Sequence, residues 1–439
     1  MTIARTRAYC NACATYHPAE VVRNNGSIRA VMHCPEGDRD YLISSDPELY
    51  LKLRERCFVD PSAPPPKHRH NVLNYISITN GCNFNCTICG ANARRDLNEA
   101  VFLSVDEICR RAGRARECGA RILHLMGGEP TLHPDLIEIV RRLADMGLSV
   151  GLVTNGAVIG SDAQLASNLR RNGLSRVCLQ FDSFREDILE NYARNCLDIK
   201  QKAIRHISGA GLKLGLNATV TRQNLAELSR LLEHGLTECS TVVNMTFASA
   251  APVGRYLMDQ GESTDRETMV RGLLEAGDSF HFSLDDILPL ISYPAWGLDI
   301  HPDCGVHIVF ARTPKGIFPL NRYFDLWTVY RRLYENRMRP SFWSKRVVPF
   351  LYLLGAVRPG RRADALQLVT GLLLRRDIWS VVNVGVSDYR ASLFLDEQRI
   401  ARCASAFHTS QGAVPGCMHY FTDEKYAGSR EYEFAHGQC

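Results

Sequence analysis

Three cysteines, Cys82, Cys86 and Cys89, stand in the run Gly81-Cys82-Asn83-Phe84-Asn85-Cys86-Thr87-Ile88-Cys89. Thiolates spaced C-x3-C-x2-C can wrap one face of an iron–sulfur cubane and ligate three of its irons, leaving the fourth open. The competing readings are a zinc site or three unliganded thiols. Structural zinc, however, takes four ligands and favours paired C-x-x-C knuckles. Further along, Gly127-Gly128-Glu129-Pro130 offers two glycines that let backbone approach a neighbour and a carboxylate that can accept hydrogen bonds from an ammonium. The plain alternative for that run is a strand-to-helix turn.

The remaining thiols fall into two further groups. Cys10 and Cys13 form a C-x-x-C, and Cys34 follows in His33-Cys34-Pro35; Cys57 or His33 is the expected fourth ligand of a mononuclear iron or zinc site. Cys304, Cys403, Cys417 and the terminal Cys439 are far apart in sequence, as the ligands of an auxiliary [4Fe-4S] cluster often are, although free cysteine is also a common small buried residue. Cys109, Cys118, Cys178, Cys196 and Cys239 fall inside helical or strand patterns and read as core.

The elements that must position these groups alternate. Strand patterns at Tyr75–Ile78, Ile122–Met126, Ser149–Val153, Arg176–Phe181, Lys213–Val220 and Val242–Phe247 are separated by amphipathic stretches. This is the βα alternation of a parallel sheet or barrel, and six units predict a partial (β/α)6 TIM-type barrel in the α/β class. The cysteine loop then follows the first barrel strand, at the C-terminal end where active sites of such barrels lie. Ser104 with Glu107 three residues on predicts a capping box. Ahead of the barrel, Asn25-Gly26 predicts a hairpin turn and Glu36-Gly37-Asp38 a second one, and Pro61-Ser62-Ala63-Pro64-Pro65-Pro66 is a stiff connector. Three domains are expected: a cysteine-rich β unit over 1–66, the barrel over 67–295, and a C-terminal domain with the auxiliary cluster over 296–439.

These motifs place the chain beside a known family. Cys82, Cys86 and Cys89 with Gly127 to Glu129 resemble the radical S-adenosylmethionine (SAM) superfamily. The resemblance implies a [4Fe-4S] cluster whose open iron is chelated by SAM, reductive cleavage of SAM, and a 5'-deoxyadenosyl radical. On that footing Gly127, Gly128, Glu129, Asn155, Asp182 and Asn217 are the candidate SAM contacts, with helix capping the alternative at Asn155 and Asp182. One departure is Ile88, where the superfamily usually has an aromatic residue near the adenine. Gln180-Phe181-Asp182, Gly254-Arg255, His301-Pro302-Asp303-Cys304 and the tail from Arg402-Cys403 to Pro415-Gly416-Cys417 resemble the tetraether lipid synthase group and its related radical methylases. That group implies a rubredoxin-type iron at the N-terminal cysteines, although zinc fits their spacing equally.

Composition narrows the partners. A net charge of +5 over 439 residues supports no nucleic-acid partner, and sixteen cysteines without a secretory leader point to metal in a reducing compartment, so a cytoplasmic protein is expected. A radical able to attack unactivated carbon suits a lipid alkyl chain, and between Ser341 and Asp377 aromatic and leucine residues interleave with Arg358, Arg361, Arg362, Arg375 and Arg376. That stretch reads as a surface for peripheral contact with an anionic membrane, against the plainer reading of a solvated helix face. The expected reaction is carbon–carbon bond formation on lipid alkyl chains, with methylation of a pterin or other small molecule as the alternative. A reducing partner such as ferredoxin or flavodoxin is expected with either.

Overall fold

The computed structural model describes residues 1–10, 12–60, 73–290, 300–335, 348–373, 380–389 and 393–419. The proline-rich connector, His68 to His70, Arg375, Arg376 and Cys439 lie outside these.

The chain opens with β1 (Thr2–Cys10), β2 (Thr15–Asn24), β3 (Ser27–Met32) and β4 (Arg39–Ser44), an antiparallel meander in sequence order, and then α1 (Pro47–Glu55). Asn25 and Gly26 both take positive φ, 44° and 76°, as a two-residue hairpin of primed type requires. Period-two alternation along the strands turns Ala8, Cys10, Ala19, Val21, Ile28, Ala30 and Met32 to one buried face. Asp46 caps α1 by accepting the Leu49 N–H at 3.0 Å, with Pro47 at the first helical position, where its missing N–H costs nothing.

Strand and helix then alternate: β5 (Leu73–Thr79), β6 (Ile88–Cys89), α2 (Val105–Glu117), β7 (Ile122–Gly127), α3 (Leu136–Asp145), β8 (Ser149–Thr154), α4 (Ala157–Ser161), α5 (Ala163–Arg171), β9 (Leu174–Gln180), α6 (Glu186–Asn191), α7 (Leu197–Gly209) and β10 (Lys213–Val220). There follow α8 (Leu228–Glu233), β11 (Val242–Ser249), β12 (Arg255–Tyr256), α9 (Arg266–Leu274), α10 (Gly277–Phe280), β13 (Leu288–Pro289), β14 (Gly305–Thr313) and β15 (Gly316–Pro319). The chain continues through α11 (Leu326–Glu335), α12 (Val348–Leu354), α13 (Arg362–Leu373), β16 (Ser380–Ser387), α14 (Glu397–Ala401), β17 (Ser405–His408), β18 (Ala413–Pro415) and α15 (Gly416–His419).

Contacts divide the chain into two units, each discontinuous in sequence. One joins Met1–Pro66, Leu225–Ser249 and Thr264–Arg402. In it β11 and β16 run parallel, while β14 runs antiparallel to β16, β13 and β15. The other joins Lys67–Asn224, Ala250–Ser263 and the segment from Cys403. Its sheet runs β10-β9-β8-β7-β5-β17, all parallel, with β18 antiparallel at the edge. Side chains such as Ile76, Leu123, Leu125, Val150, Leu152, Val177 and Leu214 have no exposure, because helices cover a parallel sheet on its faces. Ser104 does cap α2, accepting the Glu107 N–H at 3.3 Å, but the Glu107 carboxylate turns to Arg110 and Arg111 instead of completing a box.

The parallel sense has one consequence for chemistry. Strands β5, β7, β8, β9 and β10 all end on the same rim, so the loops after Thr79, Gly127, Thr154 and Gln180 converge there. Those loops carry Cys82, Glu129, Asn155 and Asp182.

Candidate active site

The cysteine loop is held by backbone before any side chain is considered. The Gly128 N–H donates to Thr79 O and the Glu129 N–H to Gly81 O, both at 2.8 Å, tying the end of β7 to the end of β5. A Cβ on Gly127, at φ 143°, would meet Thr79 O at 2.0 Å, and one on Gly128 would meet Gly81 O at 2.1 Å. The two glycines are therefore required by the backbone of the cysteine loop itself. The Cys82 N–H donates to Arg94 O and the Arg94 N–H to Asn80 O, both at 2.8 Å, while β12 pairs antiparallel with β6 at Ile88 and Cys89.

Donors converge on the thiols. The Phe84 N–H lies 3.4 Å from Cys82 Sγ, the Ala93 N–H 3.5 Å from Cys89 Sγ, and Asn155 Nδ2 4.0 Å from Cys82 Sγ. Burial, then the Glu129 charge and the other two thiols, push the Cys82 thiol up to about 12, against the pull of the Phe84 N–H. Thiolate at Cys82 thus forms only with a cation to hold it, and metal binding must release its proton.

Two arginines that the sequence reading did not assign to the site grip the loop. Arg255 donates from Nε to Cys86 O at 2.8 Å and from Nη1 to Ala93 O at 3.0 Å. Its buried Nη2 has no partner among the described residues, which leaves a donor for an anionic group at this loop. Arg194 donates to Ile88 O at 2.9 Å and pairs with Asp182 at 2.8 Å. Burial opposes the Arg194 charge, but the Asp182 carboxylate and the nearby Cys86 sulfur hold its pKa above the usual value. Arg255 stands in the Gly254-Arg255 run that carries the family resemblance, although no role was read for it there, whereas Arg194 belongs to no motif and only a buried-charge argument would have flagged it.

Asp182 is fully buried and occupied. Besides Arg194 it accepts from the Thr219 N–H at 2.8 Å and from the Gln180 amide, and Gln180 in turn accepts from Lys200 Nζ through its carbonyl (2.7 Å) and side chain (2.9 Å). Asn155 accepts the Ala157 N–H at Oδ1 (2.9 Å), just ahead of α4, whose N-cap is Gly156, and its Nδ2 donates to Asn83 Oδ1 in the cysteine loop at 2.8 Å. Glu129 Oε1 accepts from the Thr131 N–H (3.0 Å), the Thr131 hydroxyl (2.5 Å) and the Thr154 hydroxyl (2.7 Å), and Oε2 from the Asn155 N–H (2.8 Å). Burial still pushes the Glu129 carboxyl above the usual range despite these donors. Oε2, with one donor, has the spare capacity for an ammonium. Asn217 contributes its carbonyl to the Phe181 N–H at 2.8 Å.

The other predicted ligands sit apart from this rim. Cys10, Cys13 and Cys34 have their sulfurs within 4.8 Å of one another. Cys403 and Cys417 place theirs 3.9 Å apart, and Cys304 lies in the unit that does not contain them.

Thiols with sulfur-directed donors on the rim of a parallel sheet have the chemistry to hold an iron–sulfur cluster. Residues 76–235 match the Radical SAM superfamily. The chain carries a radical SAM domain. It is similar to the 7,8-dihydro-6-hydroxymethylpterin dimethyltransferase of Methanocaldococcus jannaschii, at 26% identity over 73% of this chain and 71% of that one. It is also similar to a probable GTP 3',8-cyclase of Sulfurisphaera tokodaii, at 32% identity over 37% of this chain and 51% of that one. The chain thus spans about half the length of that second relative. Among solved structures, Streptococcus suis SuiB bound to its precursor peptide SuiA aligns with a TM-score of 0.42 at 15% identity, covering 48% of each chain. Among the described residues, no helix is long and apolar enough to cross a membrane.

Proposed function

We propose that Cys82, Cys86 and Cys89 hold a [4Fe-4S] cluster and that this radical SAM enzyme modifies an unactivated carbon. Bound there with SAM, the cluster supplies one-electron cleavage to a 5'-deoxyadenosyl radical. The observation that carries this reading is the convergence of the Phe84, Ala93 and Asn155 donors on the Cys82 and Cys89 sulfurs, in a loop that Arg255 holds through Cys86 O and Ala93 O. Arg194 and Arg255 fix the loop's shape, and the spare face of Glu129 Oε2 takes the ammonium of SAM. Asn155 links that carboxylate to the loop. Cys403 and Cys417, with sulfurs 3.9 Å apart, remain ligands proposed for an auxiliary cluster, and a ferredoxin or flavodoxin the proposed electron donor.

For the substrate, a lipid alkyl chain undergoing carbon–carbon bond formation is the reading that the surface supports. Leu351, Leu354 and Leu366 on α12 and α13 are 56%, 44% and 63% exposed, next to Arg358, Arg361 and Arg362. Exposed leucines flanked by arginines suit peripheral contact with an anionic membrane. The pterin dimethyltransferase, similar over most of the chain, favours a second reading, methylation of a small molecule. Anaerobic turnover with product analysis tests both. Alanine at Cys82, Cys86 or Cys89 should abolish 5'-deoxyadenosine formation, and undiminished SAM cleavage in any of the three would refute the site. S-adenosylhomocysteine among the products of the parent enzyme supports methylation; its absence supports coupling.

A further inference from the structure

The unit that contains α12 and α13 holds a cavity of about 590 Å³, within the size range of small-molecule sites, and every residue lining it belongs to that unit. After β15 a single turn, Leu320–Arg322, sends Asn321 inward, 6% exposed, and leaves Arg322 on the cavity wall. Phe318 on β15 covers one face of the Arg322 guanidinium, with Cζ 4.2 Å from the ring centroid. Stacking of this kind orders the planar group, while its N–H donors, which lie in the plane, stay available.

Asn321 fixes a second guanidinium on the same wall. Arg358 donates from Nε to Asn321 O at 2.6 Å and from Nη2 to Asn321 Oδ1 at 3.2 Å, which leaves Nη1 over. The carboxylates that line the cavity are engaged elsewhere. Asp285 accepts Arg56 Nη2 at 2.8 Å, and Asp286 accepts the Ser283 N–H at 3.0 Å and Asn321 Nδ2 at 3.2 Å. Arg361, also on the wall, lies 3.4 Å from Asp364, a carboxylate it shares with Lys315. Among the described residues, no carboxylate pairs with Arg322 or Arg358. Two ordered guanidiniums thus face one cavity without a counter-charge.

We propose that this cavity binds a phosphate monoester. The group's charge of about −1.5 to −2 at neutral pH matches two guanidiniums, where a carboxylate would balance one. Its oxygens accept from planar N–H forks in the bidentate manner that arginine favours. Free phosphate would fill only a fraction of the 590 Å³, so the phosphate is carried on a larger body. That body is a lipid or a soluble metabolite, and the exposed Leu351 and Leu354, shortly before Arg358, would suit acyl chains. The site does not depend on the reaction proposed for the cysteine loop.

Calorimetry on the full-length chain, with glycerol 3-phosphate as the probe, tests the site. One equivalent should bind, and glycerate, with a carboxylate in place of the phosphate, should bind more weakly. Arg322→Gln should weaken the probe by about tenfold or more, as loss of a charge-assisted hydrogen bond does. Arg322→Lys, which keeps the charge but not the fork, should recover only part of that loss. Arg358→Gln should act in the same direction; it also releases Asn321, so the Arg322 pair carries the test if that variant does not fold. Dihexanoyl phosphatidic acid below its micelle concentration separates the two sources: tighter binding than the glycerol ester assigns a lipid body, and equal binding a soluble one. Absence of saturable one-to-one binding of either ester, inorganic phosphate or glycerate held as tightly as both, or parental affinity in Arg322→Gln would each overturn the assignment.

Discussion

Arg194 offers the sharpest test of how the cysteine loop is held. Its side chain and that of Asp182 are 8% and 0% exposed and bond at 2.8 Å, and the same guanidinium holds Ile88 O one residue before Cys89. Arg194→Met keeps the apolar stem and removes the charge, leaving the Asp182 carboxylate buried with only the Thr219 N–H and the Gln180 amide. Removing one partner of a buried pair costs about 3–5 kcal/mol, whereas replacing both with neutral groups is often close to neutral. Adding Asp182→Asn should therefore restore stability, with a coupling of about 2–3 kcal/mol between the two positions. The probe must be local, because Trp327, the tryptophan among the described residues, lies in the other unit. Amide hydrogen exchange of the cluster-free protein serves instead. At about 1.4 kcal/mol per factor of ten, a loss of 3 kcal/mol speeds exchange by about 150-fold across peptides covering β9 and β10. Acceleration of less than about tenfold, or a double variant no better protected than the single one, would refute the view that this pair holds the loop.

Gly128→Ala should fail to retain iron and sulfide after anaerobic reconstitution, because its Cβ would meet Gly81 O at 2.1 Å with backbone on both sides; near-parental iron content would show that the β5 and β7 ends can separate. Glu129→Gln should weaken SAM binding and also loosen the rim by about 1–3 kcal/mol, since its amide must face either the Asn155 N–H or the three donors at Oε1; parental SAM affinity by calorimetry would remove the ammonium role. His307 donates from Nδ1 to Asn383 Oδ1 and accepts the Tyr330 hydroxyl at Nε2, and burial holds its pKa down at about 4 against an ordinary 6.5. The unfolded chain then binds the extra proton first, so stability present above pH 6.5 should fall as pH drops toward 4, by up to roughly 3 kcal/mol. Tryptophan-monitored urea unfolding checks this, and a His307→Gln variant with the same pH slope would assign the loss elsewhere. Charge reversal at Arg361 and Arg362 should lower binding to anionic vesicles in a salt-dependent way while leaving SAM cleavage unchanged; unchanged vesicle binding would move the substrate reading toward a small molecule.

The primary structure carries the local and periodic features of this protein. Thiol spacing, the Gly127–Glu129 run, the hairpin at Asn25-Gly26, the Ser104 cap and the six strands β5 and β7 to β11 all depend on residues a few positions apart, where steric and hydrogen-bonding preferences act directly. Features that depend on which distant segments meet were decided only in three dimensions. β16 lies beside β11 and β17 beside β5, although about 130 and 330 residues separate their sequences, and strands that return from a tail show no periodicity of their own that names their partner. Glycine at 127 and 128 reads equally well as room for a ligand or for backbone, and the Thr79 and Gly81 carbonyls settle it. Asp182 reads as a free rim carboxylate until Arg194 is found against it. His17 lies four residues beyond a C-x-x-C with no motif of its own. Its Nε2 nonetheless lies 2.9 Å from Cys13 Sγ, because alternation along the start of β2 puts Thr15 and His17 on the side of the chain that Cys13 shares.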